Sequence, residues 1–169
     1  MATKAKVTIT DVDHGAAAFL KRMKEFQKPR IDVGILSGEG HADDPHGPEL
    51  TLVEVAVFNE FGTTGANGEV HVPERSFIRS WFDTHEESLK ENLVTLMKRV
   101  AKGELTKSQA LEQIGLRAVG QIQELIASSI PPPNAPSTIA KKGSSTTLID
   151  QGQLRQGITH RVVEGVGSA

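Results

Sequence analysis

The chain has 169 residues, a length that fits one domain with enough residues to bury a hydrophobic core. Its net charge of −2 and aromatic content of 4% argue against a protein that coats nucleic acid, because that role needs excess cations and stacking rings. The absence of cysteine excludes disulfides, thiolate catalysis and cysteine–zinc sites.

The N-terminal part predicts a strand, a helix and a second strand. Residues 14–28 repeat apolar side chains at intervals of three and four, which is typical of a helix with one apolar face. Pro29 ends this helix, and residues 31–36 alternate as in a strand. The apolar residues that alternate in the first predicted strand are Val7, Ile9 and Val12.

The sequence shows no pattern of a secretory signal or a membrane span. No stretch of apolar residues follows the first lysines, and no stretch of the chain is as long and apolar as a membrane-spanning helix. We therefore expect a soluble product without membrane contact.

Two predicted loops surround the next helix. Residues 38–50 and 62–72 combine glycine and proline with no apolar period, so both are predicted as loops. Between them, apolar residues at helical spacing predict a helix that stops at Gly62. A long helix is predicted to begin at Pro73 and to end at Gly103, since proline and glutamate suit a first turn.

A further helical stripe spans residues 105–130, with Thr106 and Gln109 at the spacing of a capping box. Because about three residues join it to the preceding helix, the two helices must form an antiparallel hairpin. Residues 158–163 alternate as in a strand. We predict one α+β domain over residues 1–169, with a small antiparallel or mixed sheet packed against the long helical hairpin.

Residues 131–147, which we call the arm, are rich in proline, serine, threonine and glycine. The three prolines favour polyproline II, so we predict an extended arm that stands apart from the core and becomes ordered on a neighbouring subunit. A floppy insertion is the alternative, because long loops add little closure entropy. The lysines would meet an acidic surface or passing nucleic acid, or remain solvated. The arm residues expected at the inter-subunit contact are Pro131, Pro132, Pro133, Asn134, Ile139, Lys141 and Lys142.

Residue types that could carry chemistry form no recognisable catalytic site. The segment from His41 to His46 offers two imidazoles and two carboxylates for a divalent metal, but surrounding glycines and prolines favour a surface loop. No serine lies in a G-x-S-x-G context, and the glycines lack nucleotide-binding spacing. We therefore expect no enzyme, no cofactor and no metal site. A metal-dependent hydrolase built on this loop is the enzymatic alternative.

Two signatures resemble those of tail-completion proteins of tailed bacteriophages. In the first, VAVFNEFGT at 55–63 precedes HVPERSFIRSWFD at 71–83, as a helix ending near E-F-G-T precedes a P-x-R-x-F-[IL]-R run in that family. The second is NAPSTIAKKGSSTTLIDQGQLRQGITHRVV at 134–163. Glu74 departs from the small or basic residue that is frequent at its position, which bears on partner specificity more than on the fold.

The resemblance implies a structural protein of the virion, located in the neck or tail after assembly in the host cytoplasm. Such proteins form a ring that completes the tail and joins it to the head, expected here to be a hexamer by analogy with the six-fold tail. The implied partners are copies of itself, other neck, connector or tail-tube proteins, and DNA that passes through without specific binding. A tail terminator, a head–tail stopper ring or a cytoplasmic protein-interaction module are the alternatives.

Within these signatures, aromatic side chains are predicted to pack in the core, and LIDQGQLR is predicted to return the arm to it. Arg155 would pair across subunits or remain an exposed charge. The residues assigned to core packing are Phe58, Phe61, Phe77 and Trp81. The residues assigned to the re-entry motif are Leu148, Asp150, Gly152, Leu154 and Arg155.

Overall fold

The computed structural model describes residues 15–24, 29–36, 41–42 and 50–163. The strand predicted near the N-terminus and residues 43–46 of the possible metal loop lie outside the described residues. The described chain is α+β, as predicted. Its helices are α1 (Ala16–Lys24), α2 (Leu52–Phe61), α3 (Ile78–Lys102), α4 (Lys107–Ala127), α5 (Pro136–Lys142) and α6 (Gln153–Gln156). Its strands are β1 (Arg30–Gly34), β2 (His41–Ala42), β3 (Leu50–Thr51), β4 (Thr63–Thr64), β5 (Val70–Val72) and β6 (Thr159–Val163).

The described strands form three antiparallel pairs: β1 with β6, β2 with β3, and β4 with β5. In the first pair Arg30 lies opposite Val163 and Gly34 opposite Thr159, and both strands contact α4. A small sheet therefore packs against the helical hairpin, as predicted. The two shorter pairs lie within or beside the predicted loops 38–50 and 62–72. Strands of two or three residues in these glycine-rich segments were not predicted, because they are too short to show an apolar alternation.

The long hairpin joins α3 to α4 and forms the body of the fold. Gly103 adopts the left-handed conformation (φ 81°) and donates its N–H to the carbonyls of Arg99 and Val100, which ends α3. Thr106 and Gln109 form the predicted capping box at the start of α4. Both ends of the turn are thus encoded locally.

The core lies between α2, the hairpin and the segment that leads into β6. Phe77 and Trp81 are buried in it, as predicted, and Phe58 is half-buried. The assignment of Phe61 to the core is wrong, because its side chain is 60% exposed at the last residue of α2. The buried core residues are Leu52, Ala56, Phe77, Trp81, Ala118, Ile122, Ile126, Ile130, Leu154 and Ile158.

Helix α1 packs against α3, and Arg22 Nη2 donates to the Ala101 carbonyl at 2.8 Å. The sequence placed Phe19 and Leu20 on an apolar face, yet both side chains are exposed in the described structure. The helix itself is confirmed, but its expected burial is not seen at these two positions.

The prediction of an extended arm that stands apart from the core is wrong. Residues 136–142 form α5, with Pro136 at its first turn and Gly143 in the left-handed conformation at its end. Asn134 is buried and donates to the carbonyls of Ser145 (3.3 Å) and Thr146 (3.2 Å), so the two ends of the arm are joined.

A further hydrogen bond attaches the end of the arm to the segment that follows α4. The Thr147 side chain is almost fully buried, and its hydroxyl donates to the Ile130 carbonyl at 2.9 Å. Buried polar groups are normally paired in this way, because an unpaired one is costly. The arm is thus folded against its own subunit, and composition alone did not indicate these contacts.

Candidate functional site

The two signatures meet at the junction between α2, α3 and the arm, and this junction begins with Glu60. Glu60 lies in the last turn of α2 and is 6% exposed. Its carboxylate accepts the backbone N–H groups of Phe77 (2.8 Å), Ile78 (3.0 Å) and Arg79 (3.0 Å). The first N–H groups of a helix have no partner within the helix, so Glu60 caps α3 from another element.

The electrostatics of Glu60 follow from this position. Burial opposes ionisation, but the N–H groups of Ile78, Arg79 and Phe77 and the Ser76 hydroxyl together hold the Glu60 pKa below its ordinary value. The Ser76 hydroxyl donates at 2.7 Å. Glu60 is therefore an ionised carboxylate whose hydrogen bonds hold the start of α3 in place. The sequence analysis did not predict this role.

The cap also explains why α3 does not begin at Pro73, where the sequence placed its start. Residues 73–76 instead form the link between β5 and α3, in which the Arg75 N–H donates to the Asn59 carbonyl at 2.7 Å. The cap comes from Glu60, 17 residues before the first N–H that it accepts. Local start signals could not place the boundary for that reason.

Gly62 allows the end of α2 to lie close to the end of β5 and the link that follows it. It has φ 70°, and a Cβ atom there would lie 2.9 Å from the backbone nitrogen of Glu74 and the carbonyl oxygen of Val72. Only glycine fits this position without displacing backbone. Close packing of the backbone therefore explains why the N-E-F-G-T motif has glycine at position 62.

Arg79 joins the outer side of the junction. It donates to Glu60 Oε1 from Nε (3.2 Å) and to Glu74 Oε1 from Nη2 (2.7 Å), and its guanidinium lies 4.8 Å from the Phe61 ring centre. The hydrogen bond that Arg79 donates to the Glu74 carboxylate is the largest cause that raises the Arg79 pKa. Glu74, the departure from the family pattern, is therefore part of an ion-pair cluster.

Arg75 connects the first signature to the arm. Its Nε donates to the Pro132 carbonyl at 2.8 Å and its Nη2 to the Pro133 carbonyl at 3.2 Å. The side chain is only 7% exposed, and burial lowers its pKa. No pattern in the sequence indicates this role, because the acceptors of Arg75 are backbone atoms 57 and 58 residues away.

The re-entry motif returns the chain to the core as predicted. Leu154 is buried beside Leu52, and Gly152 (φ 82°) starts the single turn of α6. Leu148 has φ 59°, an uncommon conformation for a non-glycine residue. Arg155 is exposed and has no carboxylate partner among the described residues, so its pairing across subunits stays a prediction.

A cavity of about 440 Å³, which we call the Arg75–Lys142 cavity, opens between α2, α5 and the re-entry motif. Arg75, Lys142 and Asp150 are its charged lining residues. Burial lowers the Lys142 pKa, nearby Asp150 opposes this shift, and Arg75 adds to it. The apolar residues that line the cavity are Leu50, Leu52, Val55, Val72, Leu148 and Leu154.

Of the predicted arm contacts, the structure brings Asn134 and Lys142 to this cavity. Lys141 is exposed and Ile139 is half-buried, and neither lines it. Pro132 and Pro133 contribute carbonyl oxygens to Arg75 rather than to a neighbouring subunit. Four of the seven predicted arm residues therefore make intramolecular hydrogen bonds in this structure, and the inter-subunit role of the arm stays a prediction.

Within the described residues, no three His, Cys, Asp or Glu side chains are grouped so that they could hold a metal ion. In the same part of the chain, no helix is long and apolar enough to cross a membrane. No protein-family model, curated protein or solved structure matches this chain in the comparisons with known proteins.

Proposed function

We propose that this chain is a structural subunit of a bacteriophage neck or tail end, which assembles with copies of itself into a ring around the DNA channel. The observation that carries the proposal is the pair of Arg75 hydrogen bonds to Pro132 and Pro133. Because Arg75 belongs to the first signature and the prolines lead into the second, the two resembling segments form one folded unit. Two short sequence resemblances that fold together support a common origin better than two that lie apart.

Self-association is supported by the surface of α2. Seven of the ten residues of this helix are apolar and they do not gather on one face, so burying a single face leaves apolar side chains exposed. Leu52, Ala56 and Glu60 face the core, whereas Val57 and Phe61, one turn apart, are exposed. A neighbouring subunit that covers Val57 and Phe61 would bury the second apolar face.

The charge of the chain suits a channel wall. With a net charge of −2, the subunit lacks the cationic excess that would retain DNA through phosphate contacts. A subunit of a neck or tail ring must let DNA pass, so weak interaction with phosphate favours this role over that of a DNA-binding protein.

Sedimentation velocity and negative-stain electron microscopy of the purified chain test the proposal. We expect a closed ring that Phe61→Ser converts to smaller species, because the substitution removes an exposed apolar side chain from the contact. Leu116→Ser is the matched control, since Leu116 is similarly exposed but lies on α4. A protein that stays monomeric at every concentration and does not enter virions would refute the ring.

The Arg75–Lys142 cavity favours a second candidate, a cytoplasmic protein-interaction module. Such a module cannot present the arm as an exposed linear motif in this structure, because the arm contains α5 and is hydrogen-bonded to its own subunit. A module of this kind would instead receive a partner segment in the cavity. A monomer that binds one cytoplasmic protein through the cavity would favour it over the ring.

A further inference from the structure

The Arg75–Lys142 cavity has an imbalance of charge. Two cationic side chains and one carboxylate, that of Asp150, line it. No described carboxylate oxygen lies within 4.0 Å of the side-chain nitrogens of Arg75 or Lys142. Among the described residues, the cavity therefore presents one more positive than negative group, and no direct ion pair joins them.

Arg75 is an unusual cation for its degree of burial. Its hydrogen-bond acceptors among the described residues are the neutral carbonyls of Pro132 and Pro133, which engage Nε and Nη2. Its Nη1 donors have no acceptor in the same part of the chain. Cations that are this buried are normally paired with an anion, because a carbonyl dipole compensates the lost hydration only in part.

Lys142 places a second cation beside the first. It lies in the last turn of α5, is half-buried, and donates only a long bond of 3.5 Å to the Thr146 carbonyl. Its pKa is lowered mainly by burial, although Asp150 acts in the opposite direction. An anion placed between Lys142 and Arg75 would relieve their mutual repulsion and satisfy both.

The rest of the cavity wall is aliphatic. Leu52 and Val55 of α2 line one side, and Leu148 and Leu154 of the re-entry motif line another. Ligand sites commonly combine such a wall with a few polar groups that fix orientation, and about 440 Å³ is within the usual range of their volumes. The occupant should therefore carry both a negative group and an apolar group.

We infer that the Arg75–Lys142 cavity binds a peptide segment of a partner protein that presents a glutamate or aspartate next to an aliphatic side chain. The carboxylate would lie between the guanidinium and the ammonium group, and the aliphatic side chain would contact the leucines. The inference goes beyond the proposed ring and rests on the second candidate function, because it names the chemistry of the segment that the cavity would receive. It concerns a site within one subunit and holds whether or not the chain forms a ring.

A nucleic-acid phosphate fits the cavity less well than a carboxylate. Binding of a phosphate backbone needs several cations along an open surface, whereas this cavity has two, with Asp150 beside them. The aliphatic wall would also remain unused by a phosphodiester. A carboxylate can accept from the Nη1 group that the proline carbonyls do not engage, and the adjacent leucines complement an aliphatic neighbour.

The test is an NMR titration of the ¹⁵N-labelled full chain with the capped dipeptide acetyl-Glu-Leu-amide. Acetyl-Gln-Leu-amide, which has the same shape without the charge, is the matched control ligand. We expect the glutamate peptide to shift backbone signals of residues 142–154 and the glutamine peptide to shift them far more weakly. Sodium phosphate is titrated separately as the probe for a phosphate site.

Lys142→Gln should weaken binding of the glutamate peptide about tenfold, the size of one partly desolvated ion pair. Lys141→Gln, on the same helix but exposed and outside the cavity, should leave binding unchanged. Both variants keep the Arg75 bonds to the arm, so a folding defect is not expected, and their unshifted amide signals would verify the fold.

Three results would overturn the inference. Equal shifts with both peptides would show that charge is not recognised. No shifts at the cavity up to the solubility limit of the glutamate peptide would show that it does not bind. Tighter binding of phosphate than of the glutamate peptide, lost in Lys142→Gln, would assign the site to phosphate instead. None of these results bears on ring formation, which sedimentation measures separately.

Discussion

Replacing Glu60 by glutamine should destabilise the fold strongly, although the two side chains have nearly the same shape. One carboxylate oxygen accepts the Phe77 and Ile78 N–H groups, and the other accepts from Ser76 and Arg79. Glutamine retains one acceptor oxygen, so its NH₂ group must face one of these two sets of donors. Because Oε1 accepts from the Ser76 hydroxyl and from both the N–H and the Nε of Arg79, two or three donors then lose their acceptor, depending on the orientation of the amide. At about 1–2 kcal/mol each, this predicts a loss of about 2–6 kcal/mol near pH 7.

The pH dependence of this loss has a defined sign. The Glu60 pKa is lowered in the folded protein from its ordinary value of 4.5, so the carboxylate contributes stability above pH 4.5. That contribution is lost as the pH falls through the folded-state pKa. The free energy of unfolding of the wild type should therefore exceed that of Glu60→Gln by a constant amount at neutral pH. This difference should become smaller as the pH falls below 4.5.

Urea denaturation followed by the fluorescence of Trp81 measures this difference, because Trp81 is buried and is the only tryptophan in the chain. Glu54→Gln is the control, since Glu54 also caps a helix but is exposed, and it should cost less. If Glu60→Gln unfolds at the same urea concentration as wild type, the carboxylate does not hold the start of α3, and the reasoning fails.

Three further changes test the packing and the arm, all by circular dichroism during thermal denaturation. Gly115→Ala should lower the free energy of unfolding by about 1–3 kcal/mol, because its Cβ atom would collide with the His160 ring. Gly120→Ala has open space and should stabilise α4 by up to about 1 kcal/mol, so equal effects of the two substitutions would refute the contact between Gly115 and His160. Thr147→Val should cost about 1–3 kcal/mol by leaving a buried carbonyl unpaired, and a neutral result would show that the bond is dispensable. Deletion of residues 134–145 should lower the Tm, and an unchanged Tm would show that the arm is independent of the core.

Local sequence signals predicted the helical hairpin well. Gly103 ends α3 and Thr106 caps α4 through groups only a few residues away, so both boundaries could be read from the sequence. The apolar periods of the two helices also match the buried side chains Trp81 and Ile122. Helix boundaries that are set by residues a few positions away could therefore be predicted from apolar periodicity and capping residues.

The junction could not be predicted, because its contacts are distant in sequence. The start of α3 depends on Glu60, and the position of the arm depends on Arg75, whose acceptors are backbone carbonyls. Every residue carries a backbone carbonyl, so no sequence motif can indicate which carbonyl accepts a hydrogen bond from Arg75. The polar composition of the arm suggested disorder, yet Asn134 and Thr147 are buried and hydrogen-bonded.

Phe61 shows the opposite error, an apolar residue that was assigned to the core and is exposed. Helical periodicity identifies which residues share a face, but the seven apolar residues of α2 do not gather on one face, so its pattern indicates no preferred side. The exposed position of Phe61 is the feature that a ring contact would use. The same residue is therefore an incorrect core assignment and a support for the proposed assembly.

Electron cryo-microscopy of the assembled phage particle, with this chain located in the map, tests the proposed function most directly. We predict a closed ring of copies at the neck or tail end, around the DNA channel, with Val57 and Phe61 covered by a neighbouring copy. A particle that lacks the chain, together with a purified protein that is monomeric at every concentration, would contradict the account.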